Sequence, residues 1–293
     1  MGSMVPVASS GGVIIHCPDD GRYAFYNSPY PAHRLMTGVD IYPNSQLIGS
    51  TPSPIDGEII KVRHIKSPPG RGFKAPEHDT LTIVRSTENS DKVVKVLHVD
   101  TVLKEGESIA VGQSLGPLIR SGYFGYHTPL HVHVEVRPQN DPLRVRGGYT
   151  IDSLLDLKDL KVTEEIVGIV TTSQKGYALI KLNRRSVVVA DVGGVPGILD
   201  GGMPIYGWFG AHAENPIKNR PVKLLGKTIG NIINVLPRTC VAECTNFRMK
   251  LGVVPVDAFF MLLPNGENSM AVVSRRRSEL KLDTNAEISL IVE

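Results

Sequence analysis

The segment His131-Val132-His133-Val134-Glu135-Val136 places the residue types of metal and acid–base chemistry at a spacing of two. Side chains of a β-strand alternate between its two faces. We therefore predict a strand that carries His131, His133 and Glu135 on one face and its valines on the other, against a core. Two imidazoles beside a carboxylate suit metal binding or acid–base catalysis.

A metal site on this strand needs further ligands, because catalytic zinc takes three protein ligands and keeps one open position. The candidates in the first half of the chain are His16, His33, Asp40, His64, His78, His98 and His127. An isolated histidine is more often structural than catalytic. We interpret the following four in that way: His16, His64, His78 and His212.

The elements that must position these residues are mostly strands. Short β-branched runs predict strands at residues 59–62, 81–84, 93–97 and 131–136, and later at 166–170, 177–182, 186–189 and 288–292. The segment 226–235 predicts either a pair of strands or a short helix. The pattern IDSLLDLKDL at 151–160 predicts the one clear helix, which leads into a linker near 161–165. The fold class is thus mainly β.

Length and composition indicate a two-domain globular protein. The chain has 293 residues, 41% of them hydrophobic and 21% charged. We predict domains at 1–150 and 166–293, with the helix and linker at 151–165 between them. A formal net charge of +3 gives no argument for nucleic acid as a partner. No apolar run is long enough to span a bilayer, and Arg275-Arg276-Arg277 is interpreted as a solvated basic patch.

The cysteines indicate a reducing compartment. There are three, Cys17, Cys240 and Cys244, an odd and low number that argues against a disulfide framework. Cys240 and Cys244 have no second Cys/His pair nearby, so we interpret them as half-buried thiols and not as a zinc site. The chain as written shows no signal peptide and predicts a cytoplasmic protein; a removed N-terminal signal would make it a secreted one.

The order of several landmarks resembles the M23 family of lysostaphin-like zinc metallopeptidases, of the duplicated hybrid motif superfamily. The landmarks are the run RLMTGVDI at 34–41, the proline–glycine turn and strand at 53–62, the strand around His98, the glycine-marked turns at 103–116, and His131-Val132-His133. They cover about half of the chain. The resemblance implies an antiparallel β-sandwich for the first domain. The strand-rich residues 166–293 predict a second all-β domain, a barrel or a sandwich of unknown role.

The same resemblance implies roles for individual residues. Asp40 and His133 would be zinc ligands, while His98 and His131 would flank the bound water and polarise it or stabilise the developing oxyanion. Members of the family cut peptide bonds, often in the glycine-rich cross-links of bacterial cell walls. A peptide or a peptidoglycan-like molecule would then be the substrate.

One position departs from the family pattern. Met36, four residues before Asp40, stands where the family has its first zinc ligand. A thioether is a poor ligand for zinc, so the expected zinc site has an incomplete ligand set. His33 would replace the lost ligand if residues 29–36 fold back toward Asp40; otherwise solvent fills the position, and His33 is a surface loop residue. His127, four residues before His131, is placed on the approach loop, with entry into the site as the alternative.

Two functions from different classes follow. The first is an M23-like metallopeptidase. The second is a non-catalytic, degenerate scaffold that binds a peptide, glycan or protein partner, favoured by Met36 and by the missing export signal. A third, weaker reading rests on the segment VLHVDTVL at 96–103, which resembles the sugar phosphotransferase IIA domains, whose histidine is phosphorylated. Phosphate transfer onto His98 from a carrier protein would identify that reading.

Overall fold

The computed structural model describes residues 3–183, 187–265, 269–274 and 280–293, apart from the side chain of Ser45. Strands make up 50% of the described residues and helices 2%. The mainly β fold class is therefore confirmed, with multiple antiparallel sheets. The basic run Arg275-Arg276-Arg277 lies outside the described residues. Within the described ranges, none of the helices is long and apolar enough to cross a membrane.

The chain divides into two compact units. Unit 1 comprises Met1–Tyr23 and Tyr30–Leu154, and unit 2 comprises Ala24–Pro29 and Leu155–Glu293. The sequence did not indicate that the short segment Ala24–Pro29 leaves the first domain and joins the second.

Unit 1 consists of short strands and two single-turn helices. The helices are α1 (Pro31–Arg34) and a 3-10 helix (Ser45–Leu47). The strands are β1 (Met4–Ser10), β2 (Val13–Pro18), β3 (Arg22–Ala24), β4 (Val39–Tyr42), β5 (Thr51–Pro52), β6 (Gly57–Lys66), β7 (His78–Ser86), β8 (Lys92–Leu97), β9 (Ser108–Ile109), β10 (Ser114–Gly116), β11 (Val132–Pro138) and β12 (Asp152–Ser153).

The largest sheet of unit 1 places β11 in its interior. Strands β3, β4, β11, β8, β7, β6 and β9 lie side by side in that order. The pairs of β11 with β4, of β11 with β8, and of β8 with β7 are antiparallel. The three valines of β11, Val132, Val134 and Val136, are each at most 1% exposed, which agrees with the predicted core face. The polar face is buried as well, and this gives the site its low exposure.

Unit 2 is built on one 13-stranded sheet. Its core packs apolar side chains from most of these strands, among them Val170, Leu199, Phe209 and Phe259. The strands are β13 (Ile166–Gln174), β14 (Tyr177–Leu182), β15 (Val189–Val192), β16 (Val195–Met203), β17 (Trp208–Ala213), β18 (Pro221–Leu224), β19 (Lys227–Leu236), β20 (Thr239–Cys244), β21 (Met249–Leu251), β22 (Val254–Val256), β23 (Ala258–Met261), β24 (Leu263–Pro264), β25 (Ser269–Val273) and β26 (Glu287–Val292), of which β24 lies outside this sheet.

The predicted helix at 151–160 is wrong. Asp152 and Ser153 form β12 and pair with β1, while the backbone N–H of Leu154 donates to Val7. A ten-residue helix is marginal in water unless tertiary packing covers an apolar stripe, and Leu154, which would belong to that stripe, is 44% exposed. Pairing with β1 supplies the backbone hydrogen bonds instead. The described residues 151–165 therefore contain no helix.

In unit 2 the structure corrects one prediction, the strand at 186–189, and decides between the alternatives for 226–235. The predicted strand at 186–189 begins only at Val189, and Ser186 lies outside the described residues. The segment 226–235 is a single strand, β19, that pairs with β18 and β20, and it contains no helix. Its β-branched residues favour the pleated, half-buried surface of a sheet.

Candidate metal and acid–base site

Strand register brings the predicted site residues together in unit 1. His133 lies opposite Asp40 of β4 on one side and opposite Leu97 of β8 on the other. Leu97 is the last residue of its strand, so His98 follows at the edge of the same row. His131 comes directly before β11. The pairing of three strands therefore gathers side chains that lie up to 93 positions apart.

Asp40 is the centre of this cluster. Asp40 is 0% exposed, and its carboxylate accepts a 2.8 Å hydrogen bond from Nδ1 of His133. Nε2 of His33 lies 3.4 Å from the same oxygen, and Nε2 of His131 lies 3.6 Å from the other. Burial alone would raise the pKa of Asp40, but the surrounding histidines hold that pKa well below its ordinary value. A buried carboxylate thus faces three imidazoles.

Helix α1 carries His33, and the turn after the helix brings the chain back to Asp40. Pro31 starts the helix, a position where its missing N–H is no loss. The chain then reverses at Met36, whose φ of 57° is unusual for a residue with a side chain. His33 is 2% exposed, so the surface-loop alternative for it is wrong, and its ring centroid lies 5.0 Å from that of His133.

Gly38 allows the close approach of this turn to β11. A Cβ atom at Gly38 would lie 2.7 Å from Cε1 of His133. A side chain there would push the imidazole away from Asp40. The glycine of the predicted motif is therefore required by packing against a site residue.

The residues His33, Asp40 and His133 fit a transition-metal ion. One ligating atom of each lies within 4.8 Å of the others, and all three side chains are buried. Two imidazoles and one carboxylate form a ligand set that zinc accepts. The Met36 thioether is not needed for a set of three ligands.

His98 belongs to a second buried pair. Its Nδ1 lies 2.6 Å from Oδ2 of Asp79, which also accepts a hydrogen bond of 2.6 Å from Oγ of Ser121. The other oxygen of Asp79 accepts from the backbone N–H of Thr80. Burial acts to raise the pKa of Asp79, but the hydrogen bonds and the charge of His98 outweigh it, and the pKa lies below its ordinary value.

The backbone at His98 directs its ring into the site. His98 has a φ of 72°, in the left-handed region. Such conformations are rare for residues with side chains and concentrate at functional sites. The ring centroid of His98 lies 5.2 Å from that of His131 and 6.2 Å from that of His133. With Nδ1 occupied by Asp79, Nε2 is the atom available for a proton.

His131 is fixed by its neighbours and stays uncharged. Its Nδ1 donates to the carbonyl of Pro129 at 2.9 Å, because a carbonyl can only accept. Phe124 stacks on the ring at 4.3 Å between centroids and covers it from solvent. Burial lowers the pKa of His131 to about 4, despite the opposing charge of Asp40. Near neutral pH, Nε2 of His131 is therefore a proton acceptor that points at Asp40.

His133 is held between two carboxylates. Its Nε2 lies 3.3 Å from Oε1 of Glu135, which also receives a 2.6 Å hydrogen bond from Lys95. Burial would lower the pKa of His133, but Asp40 and Glu135 together raise it to about 9. The imidazolium thus supplies the positive charge that Asp40 needs, and a metal ion would have to displace its proton.

Glu135 also forms buried ion pairs with Lys95 and Arg137. Its second oxygen accepts a hydrogen bond of 2.7 Å from Arg137, whose side chain is 0% exposed. Burial would raise the pKa of Glu135, but His133 and Lys95 lower it to about 2. Because unpaired buried charges are strongly destabilising, these side chains have little freedom to move. They orient His133.

Sequence reasoning missed several of these residues. Asp79, Ser121 and Phe124 carried no recognisable motif, although the predicted strands at 81–84 and 93–97 would have placed Asp79 near His98 had their register been known. His127 stays on the approach segment, where its ring packs against Tyr126. Burial, together with the charge of Arg120, lowers the pKa of His127 to about 4. His16 interacts with the carbonyl of Pro54, which agrees with a structural role.

The cysteines are separate from this site. All three are thiols, with Cys17 and Cys240 buried and Cys244 half-buried. Burial raises the pKa of Cys240 and of Cys244 to about 12. Thiols with such pKa values are neither nucleophiles nor metal ligands at neutral pH.

Comparison with known proteins places the site within one family region. The family described as "Domain of unknown function (DUF8155) N-terminal domain" matches residues 15–153, a range that includes every residue of the cluster around Asp40. No curated protein and no solved structure matches the chain.

Proposed function

We propose that unit 1 is an M23-like zinc-dependent hydrolase that cleaves peptide bonds. The observation that carries the proposal is the convergence of His33, Asp40 and His133, with ligating atoms within 4.8 Å of one another. His33 takes over the ligand position that Met36 cannot fill. What zinc supplies when bound is Lewis-acid polarisation of water and of the peptide carbonyl.

The chain's own residues then handle the protons. Asp79 holds Nδ1 of His98 at 2.6 Å, which leaves Nε2 free to take a proton as general base and favours the charged imidazole that results. His131 presents Nε2 toward the same centre, since its Nδ1 is held by Pro129. Glu135 keeps His133 oriented, as outer-shell carboxylates do for metal-binding histidines.

A second candidate function, a non-catalytic binding scaffold, is favoured by the burial of the site. His98, His131 and His133 are at most 7% exposed, and Phe124 covers two of them. A substrate would have to displace this ring. His131→Ala separates the two functions, because it removes turnover from a hydrolase and leaves partner binding by a scaffold unchanged.

The metal site is tested by titrating Zn²⁺ into chelator-treated protein in a calorimeter. We expect a tight binding step that His133→Ala removes and that His33→Ala weakens by more than about tenfold, since even outer-shell changes reach that size. Met36→His in the His33→Ala background should restore the affinity, because it returns the ligand at the position where the resemblance expects it.

The matched control is His16→Ala, which removes a histidine of unit 1 that lies in β2 and contacts Pro54. It should leave zinc affinity unchanged. Hydrolysis is measured on glycine-rich peptides with the same variants. Chelator-treated wild-type protein that shows no His133-dependent zinc uptake would refute the proposal.

A further inference from the structure

We propose that His64, His78 and Asp100 form a second, solvent-accessible site for a divalent transition-metal ion. One ligating atom of each lies within 4.8 Å of the others. The two histidines are exposed. This site is independent of the proposed hydrolase function, and it replaces the structural role expected for His64 and His78.

The sheet sets the position of the two histidines. In the β6–β7 register, His64 lies opposite Thr80 and Lys66 lies opposite His78. His64 and His78 are therefore diagonal neighbours on one face of the pair, which is within reach of long side chains. Their ring centroids are 5.1 Å apart at an angle of 81°. Both imidazoles stand on paired strands, so little ordering is needed on binding.

Thr80 connects His64 to the carboxylate of Asp100. Its hydroxyl lies 3.2 Å from Nδ1 of His64 and 3.5 Å from Oδ1 of Asp100. With Nδ1 engaged, Nε2 of His64 is left for an ion. A polar group behind a ligating histidine fixes the orientation of the ring and is the usual partner of such ligands.

The chemistry of the three residues selects the class of ion. Imidazole suits zinc, copper, nickel and iron, and a carboxylate adds the negative charge that a divalent ion needs. Exposure leaves further coordination positions to water. The site is distinct from the buried cluster, because His78 and Thr80 alternate along β7 with Asp79, which faces His98.

A bound ion would join the ends of β6 and β7 at the base of the connection 67–77. This base is already closed by a backbone hydrogen bond of 2.8 Å from Ser67 to Glu77. An ion that binds the folded form and not the unfolded one raises the melting temperature in proportion to the logarithm of its concentration.

The test is a calorimetric titration of Zn²⁺ into the His133→Ala protein, which lacks the buried ligand. We expect uptake of about one ion per chain, lost when His78→Ala is added. Lys66→Ala, an exposed change directly opposite His78, is the matched control and should keep the uptake. Unchanged uptake in the His78→Ala protein, or no uptake by the His133→Ala protein, would overturn the proposal.

A second measurement guards against a His133→Ala protein that does not fold. In the wild-type background, His78→Ala should lower the bound zinc by about one ion per chain and reduce the rise in melting temperature that zinc causes. The hydrolase proposal fails if zinc uptake does not depend on His133, whereas this proposal fails if uptake does not depend on His78. The two failures are therefore distinguishable.

Discussion

Unit 1 buries the pairs Asp40–His133 and Asp79–His98, and unit 2 buries the pair Asp200–His212. The shortest nitrogen–oxygen distances are 2.8, 2.6 and 3.1 Å, so all three pairs are hydrogen-bonded. Residue type and burial are thus the same in both units. The two units differ in the side chains that surround the imidazole of each pair.

In unit 1 the imidazoles face one another. The ring centroids of His33 and His98 lie 5.0 and 6.2 Å from that of His133. In unit 2, by contrast, the neighbours of His212 are the rings of Phe25 and Tyr26, at 5.1 and 5.7 Å. No described residue offers a hydrogen-bond partner to Nδ1 of His212. A buried aspartate–histidine pair becomes a candidate for chemistry when further titratable groups share its centre.

The Asp200–His212 pair instead holds the segment Ala24–Pro29 in place. Oδ2 of Asp200 accepts from the backbone N–H of Phe25 at 2.8 Å as well as from His212. Phe25 belongs to Ala24–Pro29, the segment that the chain contributes to unit 2 from its first half. We interpret Asp200 and His212 as a structural clamp.

The largest expected effect comes from removing the carboxylate of this clamp. Asp200→Ala leaves the Phe25 N–H and the His212 ring without their shared acceptor in a fully buried place. Removing the shared acceptor of two buried donors costs about 1–3 kcal/mol for each donor, and the free energy of unfolding should fall by about that amount. Urea denaturation measures this loss, and zinc uptake by the folded protein should be unchanged.

Asp191→Ala is the control for that change. Asp191 also lies in unit 2, but its carboxylate accepts from Gly194 in an exposed turn. We expect a loss of about 1 kcal/mol or less. If Asp200→Ala instead abolished zinc uptake at unchanged stability, the two units would not differ in the way described.

If unit 1 is the hydrolase proposed above, Asp79→Asn should have the next largest effect, on turnover and not on zinc affinity. An amide carries no charge to favour protonated His98, and general-base catalysis contributes about 10²-fold or more. We expect kcat to fall by about that factor while KM stays near its wild-type value. Kinetics on glycine-rich peptides measure kcat and KM separately.

Ser121→Ala is the matched change for Asp79→Asn. It removes one hydrogen bond of 2.6 Å to Asp79 and leaves the contact between Asp79 and His98 in place. A much smaller fall in kcat is expected. Equal losses in both variants, with KM raised, would indicate that Asp79 only maintains the fold.

Much of the site in unit 1 was predictable from the sequence, because the strands that carry it were predictable. Alternation along 131–136 gave the face shared by His131, His133 and Glu135, and the resemblance placed Asp40 and His98 with them. The structure brings the same side chains together. Strand register was not predictable, because a shift of one residue reverses every side chain, and Asp79 was missed for that reason.

Backbone conformation also limited how much of the site the sequence could predict. His33 reaches Asp40 because the chain reverses at Met36 with a φ of 57°, and a non-glycine residue gives no sequence signal for that conformation. The helix expected at 151–160 failed for a related reason, since pairing of Asp152 and Ser153 with β1 depends on a partner some 140 residues away.

The smallest effect is expected at Tyr26, beside the unit 2 clamp. Burial raises the pKa of Tyr26 well above its ordinary value, although its hydroxyl hydrogen-bonds Thr239 at 2.8 Å. Tyr26→Phe should lower the free energy of unfolding by about 1 kcal/mol at neutral pH. Thr239 keeps a partner in the carbonyl of Ala211, which limits the loss.

The same variant changes the response to alkali. Because the folded-state pKa is raised, the contribution of Tyr26 is complete below the unfolded-state pKa of about 10 and is lost as the pH rises above it, by up to about 1.4 kcal/mol per pH unit. Tyr26→Phe should therefore make the fall in stability shallower, as followed by urea denaturation at several pH values. Tyr177→Phe, a change at a half-buried strand tyrosine of unit 2, is the control and keeps the contribution of Tyr26. A slope that Tyr26→Phe leaves unchanged would mean that this tyrosine ionises in the folded state, and that the surroundings of His212 admit charge as those of His133 do.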